Sequence, residues 1–276
     1  MRGLGAAMQA TRLPFGVVTC PSGWRYHPAV VAQAIATLGK MFPGRFWAAL
    51  GSGEFLNEHV TGERWPEKAE RNARLHAAAD IIRALLRGEE VSRDGPIRVR
   101  KARVFPRPRE PPPLIGAALS EATAREVAAW ADGLVTINLP DGAHEDVAQA
   151  YRDAGGKGPL RIQVHLAWAP TEEQALRNAH RAWRANVFPS PILADLETPE
   201  QFDALAAFVR PDDLRGHVEV SADLGWHAER IRGLVEAGFD EVLLHEVGPD
   251  QEGFLEAFGR EVLPDLQHAS ASPARR

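Results

Sequence analysis

Short apolar runs of strand length alternate along this chain with longer stretches whose apolar residues recur at helical spacing. Residues 14–19 (PFGVVT) read as a strand. Residues 28–41 then set Val30, Val31, Ala34, Ile35 and Leu38 on one helical face, with Pro28 suited to the first turn and Pro43-Gly44 as the stop. The same alternation predicts strands at 46–51, 113–119, 133–138, 161–168 and 241–247. Helices are predicted at 69–86, 121–131, 143–154, 172–183, 226–237 and 252–266. Two stretches break the rhythm. Residues 89–112 are rich in proline and arginine and read as a hairpin or loop laid over one face. Residues 188–225 read as a second insertion with its own short helix near 200–208.

Repeated strand–helix units imply parallel strands joined by right-handed crossovers. The strands are continuous apolar runs, as expected of strands covered on both faces. A (β/α)8 barrel and an open doubly wound sheet both satisfy this pattern. The absence of a GxGxxG turn after a first strand speaks against a dinucleotide-binding sheet. The expectation is an α/β barrel occupying 1–267 as one domain, followed by a small, polar, disordered tail at 268–276.

The length of 276 residues suits one large barrel. The net charge of −5 points away from nucleic acid and from anionic membranes. The single cysteine, Cys20, rules out an intramolecular disulfide. No apolar run is long enough to span a bilayer. A cytoplasmic protein follows as the default.

Ligands of parallel α/β folds bind where strands end and helices begin, so the candidate chemistry is sought there. After the strand at 46–51 comes Gly51-Ser52-Gly53-Glu54, with Asn57 close behind: glycines for close backbone approach, then an acid and an amide. A plain turn with Glu54 as a cap accounts for it equally well. After the strand at 113–119, Ser120 is a good N-cap with Thr123 on the same turn. That is a ready phosphate site, or ordinary capping. Gly16, inside the first strand, can mark the close approach of a flat ligand. Cys20 has no evident base and reads as an incidental thiol. His27 reads equally as a cap or a ligand, His165 as an interior histidine, and His245 as a residue able to face the mouth. No HxH or HExxH spacing supports a metal.

Residues 25–66 (RYHPAVVAQAIATLGKMFPGRFWAALGSGEFLNEHVTGERWP) resemble the signature of luciferase-like oxidoreductases, near the F420-dependent glucose-6-phosphate dehydrogenase branch. Weaker resemblance continues through LIGAALSEATAREVAAWADGLVT and GFDEVLLHEVG. The resemblance implies a (β/α)8 barrel with a flavin or deazaflavin ring at its C-terminal mouth. It implies that Gly16, Val17 and Thr19 end the first strand behind the ring, at a non-proline cis peptide matched to Gly16 and Val17. Ser52, Gly53 and Glu54 would line the ring, with Glu54 as proton donor. Gly116 and Ala117 would end the next strand, and Ser120 and Thr123 would hold the cofactor phosphate.

Two departures from the family pattern stand out. The chain begins within what matches the second barrel helix, so the first two strands have no counterpart, including the strand that carries a catalytic histidine. This reads as N-terminal truncation. The family's sugar-phosphate branch has a lysine after the sixth strand, where this chain reads Thr136-Ile137-Asn138-Leu139-Pro140, which argues against glucose 6-phosphate. The Ser120–Thr123 turn, suited to one terminal phosphate, favours FMN over F420. The expectation is an oxidoreductase or monooxygenase acting on a small organic substrate, as a homodimer, with a flavin reductase as possible partner. The alternatives are a non-catalytic flavin-binding subunit and, with less support, a metal-dependent hydrolase.

Overall fold

A computed structural model describes residues 2–21 and 25–270. In chain order these form α1 (Arg2–Ala10), β1 (Phe15–Pro21), α2 (Pro28–Met41), β2 (Phe46–Gly51), α3 (Phe55–Glu58) and α4 (Lys68–Arg87). There follow β3 (Val91–Arg93), β4 (Val99–Ala102), β5 (Leu114–Ala117), α5 (Glu121–Ala128), β6 (Leu134–Ile137) and α6 (Ala143–Asp153). The remainder comprises β7 (Leu160–Trp168), α7 (Glu172–Trp183), α8 (Ser190–Leu193), α9 (Pro199–Leu205), β8 (Glu219–Ser221), α10 (Leu224–Glu236), β9 (Glu241–Glu246), α11 (Gln251–Ala257) and α12 (Leu263–Ser270). No described helix is long and apolar enough to cross a membrane.

The chain divides into two compact units where a single domain over 1–267 was expected. The first comprises residues 1–135, 150–158 and 194–198; the second comprises 136–149, 159–193 and 199–276.

In the first unit β1, β2, β5 and β6 pair in parallel in that order, with Ala48 opposite Val17 and Leu114, and Gly116 opposite Leu50 and Leu134. Side chains alternate between the two faces. Phe46, Ala48, Leu50 and Leu114 join Ile35, Leu75, Ile82 and Leu85 in a core beneath α2 and α4. Ala49, Ile115 and Val135 form a second cluster, against which Trp47 and Ala117 pack. Both faces are covered, which is why the strands read as unbroken apolar runs.

The stretch at 89–112 contains the antiparallel hairpin β3–β4, whose Val91, Ile97 and Val99 are buried in the helix-side core. Its turn reaches the start of two helices: Pro96 O accepts from Arg74 Nη1 at 2.7 Å, and Arg98 O lies 3.0 Å from His27 Nε2.

In the second unit β7 pairs in parallel with β8 along Leu166–Trp168 and with β9 along Arg161–Leu166. Strand β8 lies inside the stretch expected to be an insertion; its three residues are too short for any period to show. Helix α12 runs through Ser270, past the expected tail boundary at His268, while residues 271–276 lie outside the described residues.

Candidate functional site

The mouth of the first unit is built from the ends of β1, β2 and β5 and the segment that follows β2. Ala49, Ala117 and Val135 lie on the face opposite the helices and are small or β-branched. They form a buried apolar layer behind the mouth, with Trp47 and Ile115 in the same cluster. Gly51 continues that layer: a Cβ there would come within 3.3 Å of Thr19 Oγ1, so Thr19 and Gly51 are neighbours at the mouth.

Gly53 adopts a left-handed φ of 82°, which favours glycine, and turns the chain into α3. Ser52 Oγ accepts from Lys68 Nζ at 3.1 Å. Burial lowers the Lys68 ammonium from its ordinary value, and the Arg71 cation adds to the effect. Glu54 stands at the N-cap position of α3 without capping it; Asn57 Nδ2 donates to its Oε2 at 3.4 Å. The Glu54 carboxyl keeps contact with solvent. Even so, the walls around it strip enough hydration to raise its pKa above the usual carboxylate range, with the Asn57 hydrogen bond opposing. A carboxyl of this kind holds a proton closer to neutral pH than an ordinary glutamate does, as a general acid requires.

The sequence reading missed the wall beside Glu54. Phe55 and Trp65 stack at 5.5 Å with an interplanar angle of 15°. Trp65 Nε1 donates to Asp195 Oδ1 at 2.7 Å, Arg71 Nη1 donates to the same oxygen at 3.2 Å, and Phe55 N donates to Ala194 O at 2.9 Å. Trp65 and Asp195 are 130 positions apart, so no local pattern could join them. Glu58 closes the inner side, 2% exposed, with Oε2 accepting from Arg25 N at 2.8 Å.

Of the ten residues singled out in sequence, Thr19, Ser52, Gly53, Glu54 and Ala117 meet at this mouth. Three others serve packing. The flat group against Gly16 is the Trp47 indole, since a Cβ at position 16 would lie 2.1 Å from Trp47 Cε2. Val17 packs into the helix-side core. Gly116 lets α5 approach the strand, because a Cβ there would lie 2.6 Å from Val127 Cβ. The non-proline cis peptide lies at Val18–Thr19, beyond the Gly16–Val17 position expected. Ser120 and Thr123 are mutually engaged: Ser120 Oγ donates to Thr123 Oγ1 at 3.1 Å and accepts from Thr123 N at 3.4 Å, an ordinary helix cap.

The remaining candidates are structural. Burial pushes the Cys20 thiol up to about 11, far from a reactive thiolate. His27 caps α2, its Nδ1 accepting from Ala29 N at 3.2 Å. In the second unit His165 and His245 bring their Nδ1 atoms to 3.0 Å, and both rings pack on Trp183 at 4.9 Å. Burial, reinforced by His245, lowers the His165 imidazole to about 4. No group of three or more metal-ligating side chains occurs among the described residues.

Comparison with known proteins places this geometry. The luciferase-like monooxygenase family matches residues 4–241. The F420-dependent glucose-6-phosphate dehydrogenase of Beutenbergia cavernae is 35% identical, over 96% of this chain and 82% of its own length. That of Nakamurella multipartita is 34% identical, over 96% of this chain and 80% of its own length. An F420-dependent secondary alcohol dehydrogenase, solved with an F420–acetone adduct, superposes with a TM-score of 0.85 at 25% identity, covering 95% of this chain and 82% of that one. The parallel strand–helix units with their chemistry at the strand ends are those of the luciferase-like α/β barrel, and the chain belongs to the luciferase-like family of flavin- or deazaflavin-dependent oxidoreductases.

Proposed function

We propose that this chain is an F420-dependent dehydrogenase that oxidises a hydroxyl-bearing carbon of a small organic substrate. The observation that carries the reading is Glu54, a carboxyl of raised pKa that the Ser52-Gly53 turn sets at the end of β2. The relatives support the choice of cofactor, since those at 34–35% identity and the structural relative at 25% are all named for F420. Their names differ in substrate but are alike in naming F420-dependent dehydrogenases.

Bound at this mouth, a deazaflavin would supply the hydride acceptor. Glu54 would give the reduced ring its proton and would be recharged by the proton that the substrate hydroxyl releases. Asn57 orients Oε2, and the Phe55–Trp65 stack shields that side from water. Lys68, hydrogen-bonded to Ser52 Oγ, offers a cation to an anionic group on cofactor or substrate.

FMN drew its sequence support from the Ser120–Thr123 turn, which here caps α5, and the relatives named for F420 favour the deazaflavin. The separate reductase expected for an FMN monooxygenase is not part of this reading; a homodimer working in the cytoplasm is. Glucose 6-phosphate is disfavoured as substrate. The stretch 136–140 offers no cation, and the Asn138 amide is committed to His165 N at 2.8 Å and His217 O at 3.5 Å.

The test is a paired titration with F420 and FMN, followed by cofactor reduction with a secondary alcohol and with glucose 6-phosphate. Saturable F420 binding at least about tenfold tighter than FMN, with reduction by the alcohol, is expected. Tighter FMN binding overturns the choice of cofactor, and reduction by glucose 6-phosphate alone overturns the substrate class.

A further inference from the structure

A cavity of about 400 Å3 lies in the first unit between the start of α2 and the segment that leaves β4. It is separate from the mouth that holds Glu54, and no residue of that mouth lines it. Its apolar walls include Val30, Leu85 and Phe105, and its polar lining includes Gln33, Lys101 and Arg103. Val30 is 54% exposed and Phe105 78%, so two large apolar side chains stand at its rim with nothing over them among the described residues.

The charge pattern is lopsided. The Lys101 and Arg103 side chains make no hydrogen bond or ion pair among the described residues, and no acidic side chain lines the cavity. Nearby, Arg93 faces Asp80, Arg98 faces Asp94 and Arg107 donates to Arg87 O, while Arg100, which does not line the cavity, makes no ion pair among the described residues either. Two like charges on an apolar wall repel one another, and the wall weakens the screening that water would supply. The backbone adds to this arrangement. Lys101 adopts a left-handed φ of 48°, uncommon for a residue with a side chain, and its N–H is held by Ser92 Oγ at 2.9 Å.

We propose that this cavity binds a small organic anion with an apolar body and one carboxylate, sulfonate or phosphate end. The anionic end sits between Lys101 and Arg103, with the Gln33 amide as a further donor. The apolar body covers Val30 and Phe105. The volume lies within the range of small-molecule sites, about 300–1,000 Å3. A neutral molecule of the same shape would leave the two cations uncompensated. The site stands independently of the deazaflavin reading.

The test uses the full chain and two fluorescent probes of similar shape, anionic 8-anilinonaphthalene-1-sulfonate and neutral N-phenyl-1-naphthylamine. The sulfonate is expected to bind saturably at one site that F420 does not displace, with affinity that falls as salt rises. Lys101→Gln with Arg103→Gln should weaken it at least about tenfold and leave the neutral probe within about threefold. Phe105→Ala should weaken both probes. All three positions are exposed, and an unchanged thermal midpoint checks that the variants fold. Sulfonate affinity that ignores the double substitution or the salt overturns the proposal, as does displacement by F420 or an absence of saturable binding.

Discussion

Glu54 owes its raised pKa to its surroundings, and the chemistry proposed for it depends on carrying a proton. Glu54→Gln keeps the shape and an amide that still reaches Asn57, but removes the transferable proton. Turnover should fall about 100-fold while F420 affinity stays within about threefold, read by steady-state kinetics beside a binding titration. Unchanged turnover would take Glu54 out of the mechanism. At this scale the sequence was legible where function follows from position at a strand end: Ser52, Gly53 and Glu54 sit where the junction argument puts them. It was illegible where one residue type answers two needs. A glycine in a strand announces that something comes close, but not what. At Gly16 the neighbour is an indole of the next strand, and at Gly116 it is the Val127 side chain.

Helix α5 poses the same ambiguity as an element. Its first turn has the residues of a phosphate site and also of a cap, and the hydroxyls of Ser120 and Thr123 engage each other. Ser120→Ala should therefore cost about 1 kcal/mol in chemical denaturation. F420 affinity should be nearly unchanged; a loss of tenfold or more would restore the phosphate role. Elements with several turns or four or more apolar strand residues were readable from their period. Strand β8 was not, because Glu219–Ser221 spans too few residues, and it lay hidden in what read as an insertion. The Phe55–Trp65–Asp195 wall was unreadable for another reason. Segment 194–198 lies far along the chain from α3 and is brought to it only by folding.

Across the whole molecule, titration is unevenly shared between the two units. The histidines that burial holds below their ordinary range, His144, His165, His217, His227 and His245, all belong to the second unit. For His165 the folded value is about 4 against an ordinary 6.5. The unfolded chain therefore takes up a proton that the folded chain refuses, and the stability present above pH 6.5 is lost as pH falls towards 4, levelling off below. That single group accounts for roughly 3 kcal/mol at about 1.4 kcal/mol per pH unit. Glu246, buried and raised, works in the opposite sense and offsets part of the loss. Hydrogen exchange at pH 7 and pH 4.5 should show the second unit losing protection first in acid, with His165→Gln reducing the difference. Equal loss in both units would place the acid sensitivity elsewhere.

The indole that fills the space over Gly16 has an optical consequence. Trp47 packs on the apolar layer behind the mouth, and Trp65 stands in the wall beside Glu54, so a conjugated ring at the mouth lies within range of radiationless energy transfer from both. The protein thus carries its own reporter of occupancy. Of its seven tryptophans, Trp47 and Trp65 are the pair whose joint replacement by phenylalanine should remove most of the emission loss seen when a deazaflavin is added.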